Sequence, residues 1–127
     1  MKMGISQIKI MVTAGFFVVI FVSGYWLYRE GQPFTERMIT VHKLFSLGMI
    51  VYLVMAILGI SKTAPLGQAE LIACIVTGML LLGAVITGGV LSAAKNLPPL
   101  AQALHKALPA LSILSTAATL YLLYRRP

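Results

Sequence analysis

The sequence predicts an all-α integral membrane protein, with four transmembrane helices in an up-down-up-down bundle. Three observations predict it. Apolar residues make up 59% of the 127 positions, against three acidic residues. That leaves too little polar surface to cover a water-soluble domain of this size. The apolar residues also gather into four uncharged runs, Ile10–Tyr28, Leu44–Ile60, Leu71–Ala94 and Ala107–Tyr124. Each is close to the roughly 20 residues a helix needs to cross hydrocarbon about 30 Å thick. Finally, the runs are continuous rather than alternating, which argues against strands.

Taken in order, the spans are expected at 8–28, 36–60, 70–94 and 98–124, within one transmembrane domain covering 1–127. The first begins with Lys2 and Lys9, is apolar afterwards and could be mistaken for a signal peptide. It ends in Tyr25-Trp26-Leu27-Tyr28, an interfacial aromatic belt rather than a small-residue cleavage site, so it is expected to remain in the protein. The second begins after Pro33, where Thr35 can cap a helix through Glu36, Arg37 and Met38. The third is rich in small residues, Gly78, Gly83, Ala84, Thr87 and Gly88, which suit close helix packing. The fourth opens with Pro98 and Pro99 in its first turn, just after Asn96. The links Arg29–Phe34, Ser61–Gln68 and Lys95–Leu97 are short, so sequential helices should be antiparallel neighbours. No link has room for a soluble catalytic domain.

The net charge of +7 would raise nucleic acid as a partner in a soluble protein. Here the charges flank membrane spans, so the lipid bilayer and its anionic headgroups are the expected partner and nucleic acid is not. Lys2, Lys9, Lys62, Arg125 and Arg126 on the side of the termini balance Arg29, Arg37, Lys43, Lys95 and Lys106 opposite. Arg125 and Arg126 abut the last span, which favours cytoplasmic termini in a bacterial or archaeal inner (plasma) membrane. The single cysteine, Cys74, lies inside the third span. It makes no internal disulfide, and there is no C-x-x-C-H haem-attachment motif.

Two histidines stand out. They occur as His42-Lys43 and His105-Lys106, and each lies seven residues after a helix start, Thr35 or Pro98. That places each about 10 Å along its helix, just inside the apolar slab and on the same side of it. Sliding the chain on itself by 63 superposes the two His-Lys pairs without a gap. It also sets Thr35 on Pro98, Gly15 on Gly78, Val22 on Val85 and Ile50 on Ile113. A two-helix unit repeated twice, 1–63 and 64–127, follows. Parallel repeats about an axis along the membrane normal would bring both histidines to equivalent depth facing that axis.

Ionisable groups inside a membrane are costly and usually face the interior. Two imidazoles at equal depth, from helices running the same way, can ligate one haem iron from opposite sides. The propionates would need neutralising. Lys43 and Lys106 can snorkel toward the near surface for this, with Arg37 and Lys95 as further candidates. Gly24 and Gly88 lie at a depth where a macrocycle would need room, although small-residue packing is the plainer reading and the two uses are compatible. Pro109 lies four residues after His105. It could kink the helix and aim the imidazole, or be an ordinary membrane kink. Met49 could ligate iron but suits core packing better. Against all of this stands the plain reading of hydrogen-bonded interfacial histidines.

On these residues the chain resembles the small membrane b-type cytochromes, in which a four-helix bundle holds haem between histidines on different helices. The resemblance covers the whole chain in architecture and is specific at His42 and His105. It implies that these are the axial ligands and that haem b is the cofactor. It also implies one-electron transfer between a redox partner protein or quinol and another carrier, within a homo-oligomer or larger complex rather than as a stand-alone enzyme. The relatives usually carry two ligand pairs. This chain carries one, enough for one haem.

Other classes fit less well. A proton-coupled exporter needs an intramembrane carboxylate, and Glu30, Glu36 and Glu70 fall at span ends or in links. Structural zinc wants four ligands. Ser46, Ser112 and Ser115 lack an acid to orient a histidine for hydrolysis. The strongest alternative is a cofactor-free accessory or anchoring subunit, its helices packed through Ser112, Ser115, Thr116 and Thr119.

Overall fold

The computed structural model describes residues 4–126; Lys2, counted above among the basic residues near the termini, lies outside them. Among the described residues there are four helices and no strand. They are α1 (Ile5–Glu30), α2 (Glu36–Ser61), α3 (Gln68–Ala93) and α4 (Pro99–Tyr124), each of 26 residues. Such a helix rises about 39 Å, enough to cross the hydrocarbon core and reach both headgroup layers. All four are apolar enough to do so, and the all-α expectation holds.

The helices begin and end where local chemistry dictates. α3 starts at Gln68 rather than 70 because Glu70 belongs to its first turn: the Gly67 N–H donates to the Glu70 carboxylate at 2.7 Å. A carboxylate there also complements the positive end of the helix dipole. α1 likewise starts at Ile5, with the Gly4 N–H donating to the Gln7 side-chain oxygen at 3.1 Å. At α2 the Thr35 carbonyl accepts the Ile39 N–H at 3.0 Å. The Thr35 hydroxyl donates to the Glu30 carboxylate, tying the end of α1 to the start of α2. Pro109 does not end α4, which runs on to Tyr124.

The chain divides into two compact units, Met1–Gly59 and Ile60–Pro127. Each is built on a helical hairpin. In the first, α1 turns into α2 through Gly31, whose φ of 72° disfavours a side chain, followed by a cis Gln32–Pro33 bond. The helices pack through Phe16, whose ring centroid lies 5.8 Å from that of Phe45 and 5.7 Å from that of Tyr52. Gly48 admits the Phe16 ring, since a Cβ there would fall 3.3 Å from it. In the second unit the contact is polar. Thr77 of α3 lies 2.6 Å from the Ser115 hydroxyl and 2.8 Å from that of Thr119, both on α4. At the open end of this hairpin Arg126 pairs with Glu70 at 3.2 Å and donates to the Pro65 carbonyl.

The faces of α2 and α4 correspond. Met49, Leu53 and Ala56 are buried on α2; Ser112, Thr116 and Thr119 are buried on α4. Large apolar side chains such as Val18, Val22, Trp26, Met55, Met79 and Leu114 are exposed. Apolar faces of this extent suit lipid, not water.

Candidate functional site: two matching imidazole seats

Each histidine is seated by its own hairpin. His42, half-buried on α2, places Nδ1 2.9 Å from the Ser23 hydroxyl and 3.1 Å from the Ile20 carbonyl, both on α1. Ser23 in turn lies 2.7 Å from the Val19 carbonyl and 3.1 Å from that of Ile20. A serine has one proton, and here the backbone of its own helix takes it. The imidazole must therefore supply the proton between Nδ1 and Ser23. The opposite arrangement would set the Nδ1 lone pair against the Ile20 carbonyl. His42 thus carries its hydrogen on Nδ1, and in the neutral ring the lone pair is on Nε2.

His105 repeats this seat on α4. Its Nδ1 lies 3.0 Å from the Thr87 hydroxyl of α3. Thr87 is back-bonded to the Gly83 carbonyl at 2.9 Å and the Ala84 carbonyl at 3.1 Å. Since the Thr87 proton likewise goes to its own helix, the imidazole is the donor between Nδ1 and Thr87, which puts the hydrogen on Nδ1.

A glycine faces the ring in each seat. A Cβ on Gly24 would fall 3.0 Å from Cε1 of His42, and one on Gly88 would fall 2.8 Å from Cε1 of His105. What fills the space beside these glycines is the imidazole of the same hairpin. Their close-approach role is thus assigned to the ring itself.

The correspondence of the hairpins is not a uniform slide. α2 maps onto α4 by 63 positions, His42 onto His105 and Met49 onto Ser112. The contacts map α1 onto α3 by 64: Ser23 onto Thr87, Gly24 onto Gly88, and buried Thr13 onto buried Thr77. The hydroxyl precedes its histidine by 19 positions in the first hairpin and 18 in the second. The gapless slide, which set Gly15 on Gly78 and Val22 on Val85, is out of step on that helix by one residue. Sequence reasoning therefore misses Ser23 and reads Thr87 only as a small packing residue. The signal was present as a hydroxyl–glycine pair, Ser23-Gly24 or Thr87-Gly88, ahead of each His-Lys pair.

The remaining candidates sit around these seats. Lys43, Lys106, Arg37 and Lys95 are exposed. Met49 is buried, at 1% exposure. Pro109 occupies in α4 the place of Ser46 in α2, whose hydroxyl donates to the His42 carbonyl at 2.6 Å. No protein-family model matches the chain, and neither curated proteins nor solved structures provide a significant match.

Proposed function

We propose that this protein is a membrane b-type cytochrome in which His42 and His105 are the axial ligands of one haem b. It carries single electrons between a redox partner protein or quinol and another carrier. The observation supporting this reading is the duplicated seat with its hydrogen on Nδ1. Histidines that ligate metals almost always donate the second ring N–H to a fixed acceptor, which sets the tautomer and ring orientation. Both histidines of this chain are held that way.

The donor set suits haem better than a bare ion. Among the described residues no three or more His, Cys, Asp or Glu side chains gather, whereas structural zinc needs four protein ligands. Haem brings its own equatorial nitrogens and asks the protein only for axial ligands. When bound, it supplies a reversible one-electron iron couple. The chain's residues do the rest. The α1 and α3 hydroxyls and carbonyls orient the rings, Gly24 and Gly88 let the rings approach the backbone, and Lys43, Lys106 and Arg37 neutralise propionates. The outer apolar faces meet lipid, with the termini on the cytoplasmic side of a bacterial or archaeal inner (plasma) membrane and the protein working in an oligomer or larger complex.

The test is a dithionite-reduced minus air-oxidised spectrum of the purified chain in mild detergent. The expected result is a sharp low-spin b-type α-band with about one haem per chain. A colourless protein from haem-replete cells would overturn this reading and leave the cofactor-free anchoring subunit.

A further inference from the structure

We propose that Ser23 and Thr87 are positioning residues that tune the iron couple, holding its reduction potential low through matched hydrogen-bond relays behind His42 and His105. The proposal rests on the cytochrome reading and adds to it a control on potential.

Each relay runs from ring to hydroxyl to backbone. The ring donates from Nδ1 to the hydroxyl, at 2.9 Å for Ser23 and 3.0 Å for Thr87. The hydroxyl donates to a carbonyl one turn earlier in its own helix, Val19 at 2.7 Å or Gly83 at 2.9 Å. Neither bond to the ring is needed merely to satisfy the hydroxyl. A buried membrane serine or threonine is satisfied by its own helix carbonyl, and both already are. In the first hairpin the imidazole N–H also has a backbone partner, the Ile20 carbonyl at 3.1 Å. Each hydroxyl is an acceptor strengthened because it is itself donating.

A stronger acceptor on Nδ1–H draws that proton outward and raises electron density at Nε2, making the imidazole a more basic ligand. A more basic axial ligand favours ferric over ferrous iron. Both relays act in the same direction, so their effects should reinforce each other. The two hairpins differ in nearly every neighbouring side chain yet keep this relay. Serine serves in one and threonine in the other, which shows that either hydroxyl fits the geometry.

The test uses the full chain carrying Ser23→Ala, Thr87→Val or both, with Ser23→Thr and Thr87→Ser as hydroxyl-retaining partners. Potentiometric titration should show each hydroxyl-deleting variant shifted toward ferrous iron by about threefold to tenfold, tenfold being about 59 mV for a one-electron couple. The hydroxyl-retaining variants should stay close to the parent. A second readout needs no haem. Ring ¹⁵N NMR of the haem-free chain should find the proton on Nδ1 at both histidines, with its resonance moving upfield when the hydroxyl is removed. Haem-loaded variants with the parent's potential would overturn the tuning while leaving the cytochrome reading intact. A proton on Nε2 in the haem-free chain would overturn the relay itself. A colourless parent with its protons on Nδ1 would overturn the tuning through the cytochrome reading, not through the relay.

Discussion

Gly88 lies so close to His105 that a Cβ added to it would fall 2.8 Å from the ring's Cε1. Real Cβ contacts are essentially never that short, so the ring or the helix must move. Gly88→Ala should push the imidazole off Thr87 and cost about 1–3 kcal/mol, as overpacking of a filled site does. Gly24→Ala meets His42 at 3.0 Å and should cost less. Thermal unfolding in detergent micelles would rank the two. Equal midpoints for parent and both variants would show that neither seat is tight.

Gly24 and Gly88 stand out in the sequence as places of close approach, but as room for a macrocycle rather than for the imidazoles that lie beside them; the groups that hold the rings do not stand out. Runs of uncharged residues announce spans, because a helix crossing lipid has few ways to look otherwise. A histidine in such a run stands out by cost alone. Ser23 and Thr87 did not, for two reasons. They are different letters, so an identity search passes over them. They also lie one residue out of step with the alignment that superposes the histidines. Helix ends are also hard to read where a charged side chain caps the backbone: Glu70 accepts from the Gly67 N–H and so lies inside the first turn of α3.

On the proposed haem reading, replacing either histidine should remove an iron ligand. His42→Ala and His105→Ala should each abolish the low-spin spectrum, and added imidazole should recover part of it by entering the vacated space. A low-spin spectrum retained by both single variants would remove the two residues from the iron.

The hydroxyl contacts at the other end of the hairpins should not be energetically alike. Thr77 bonds across to Ser115 and Thr119 on α4, whereas Thr13 bonds back to the Lys9 carbonyl of its own helix. Interhelical hydrogen bonds in membranes average about 0.6 kcal/mol. Thr77→Val should therefore cost about 1 kcal/mol and Thr13→Val close to nothing. Denaturation by SDS in mixed micelles measures both, and a Thr13→Val variant as damaged as Thr77→Val would contradict the distinction.

Arg126 closes the second hairpin at its open end, pairing with Glu70 at 3.2 Å and reaching the Ala64 carbonyl at 3.4 Å. Ion pairs at such partly exposed positions are worth about 1 kcal/mol or less, so removing this one should loosen the end without unfolding the helix. Arg126→Gln should speed amide hydrogen exchange in the last turn of α4 while leaving exchange around His105 unchanged. Uniform acceleration along α4 would mean that the pair supports the whole helix.

Pro109 offers the sharpest use of the repeat as an internal control. It lies four residues after His105, and Ser46 occupies the matching place after His42. A proline there deprives the histidine carbonyl of its helical N–H partner, which invites the idea that a kink aims the ring. Yet the two rings are seated alike, Nδ1 to hydroxyl at 3.0 Å with the proline and 2.9 Å without it. The aim comes from the facing helix, through a hydroxyl, a carbonyl and a glycine, so the proline is not required for it. Pro109→Ala should leave the His105 Nδ1 proton resonance and the low-spin spectrum unchanged. It should also stabilise the protein, because a helix-interior proline costs about 3 kcal/mol relative to alanine in water and neighbouring groups in a membrane offset only part of that. A Pro109→Ala chain that lost the His105 resonance while staying folded would return the aiming role to the proline.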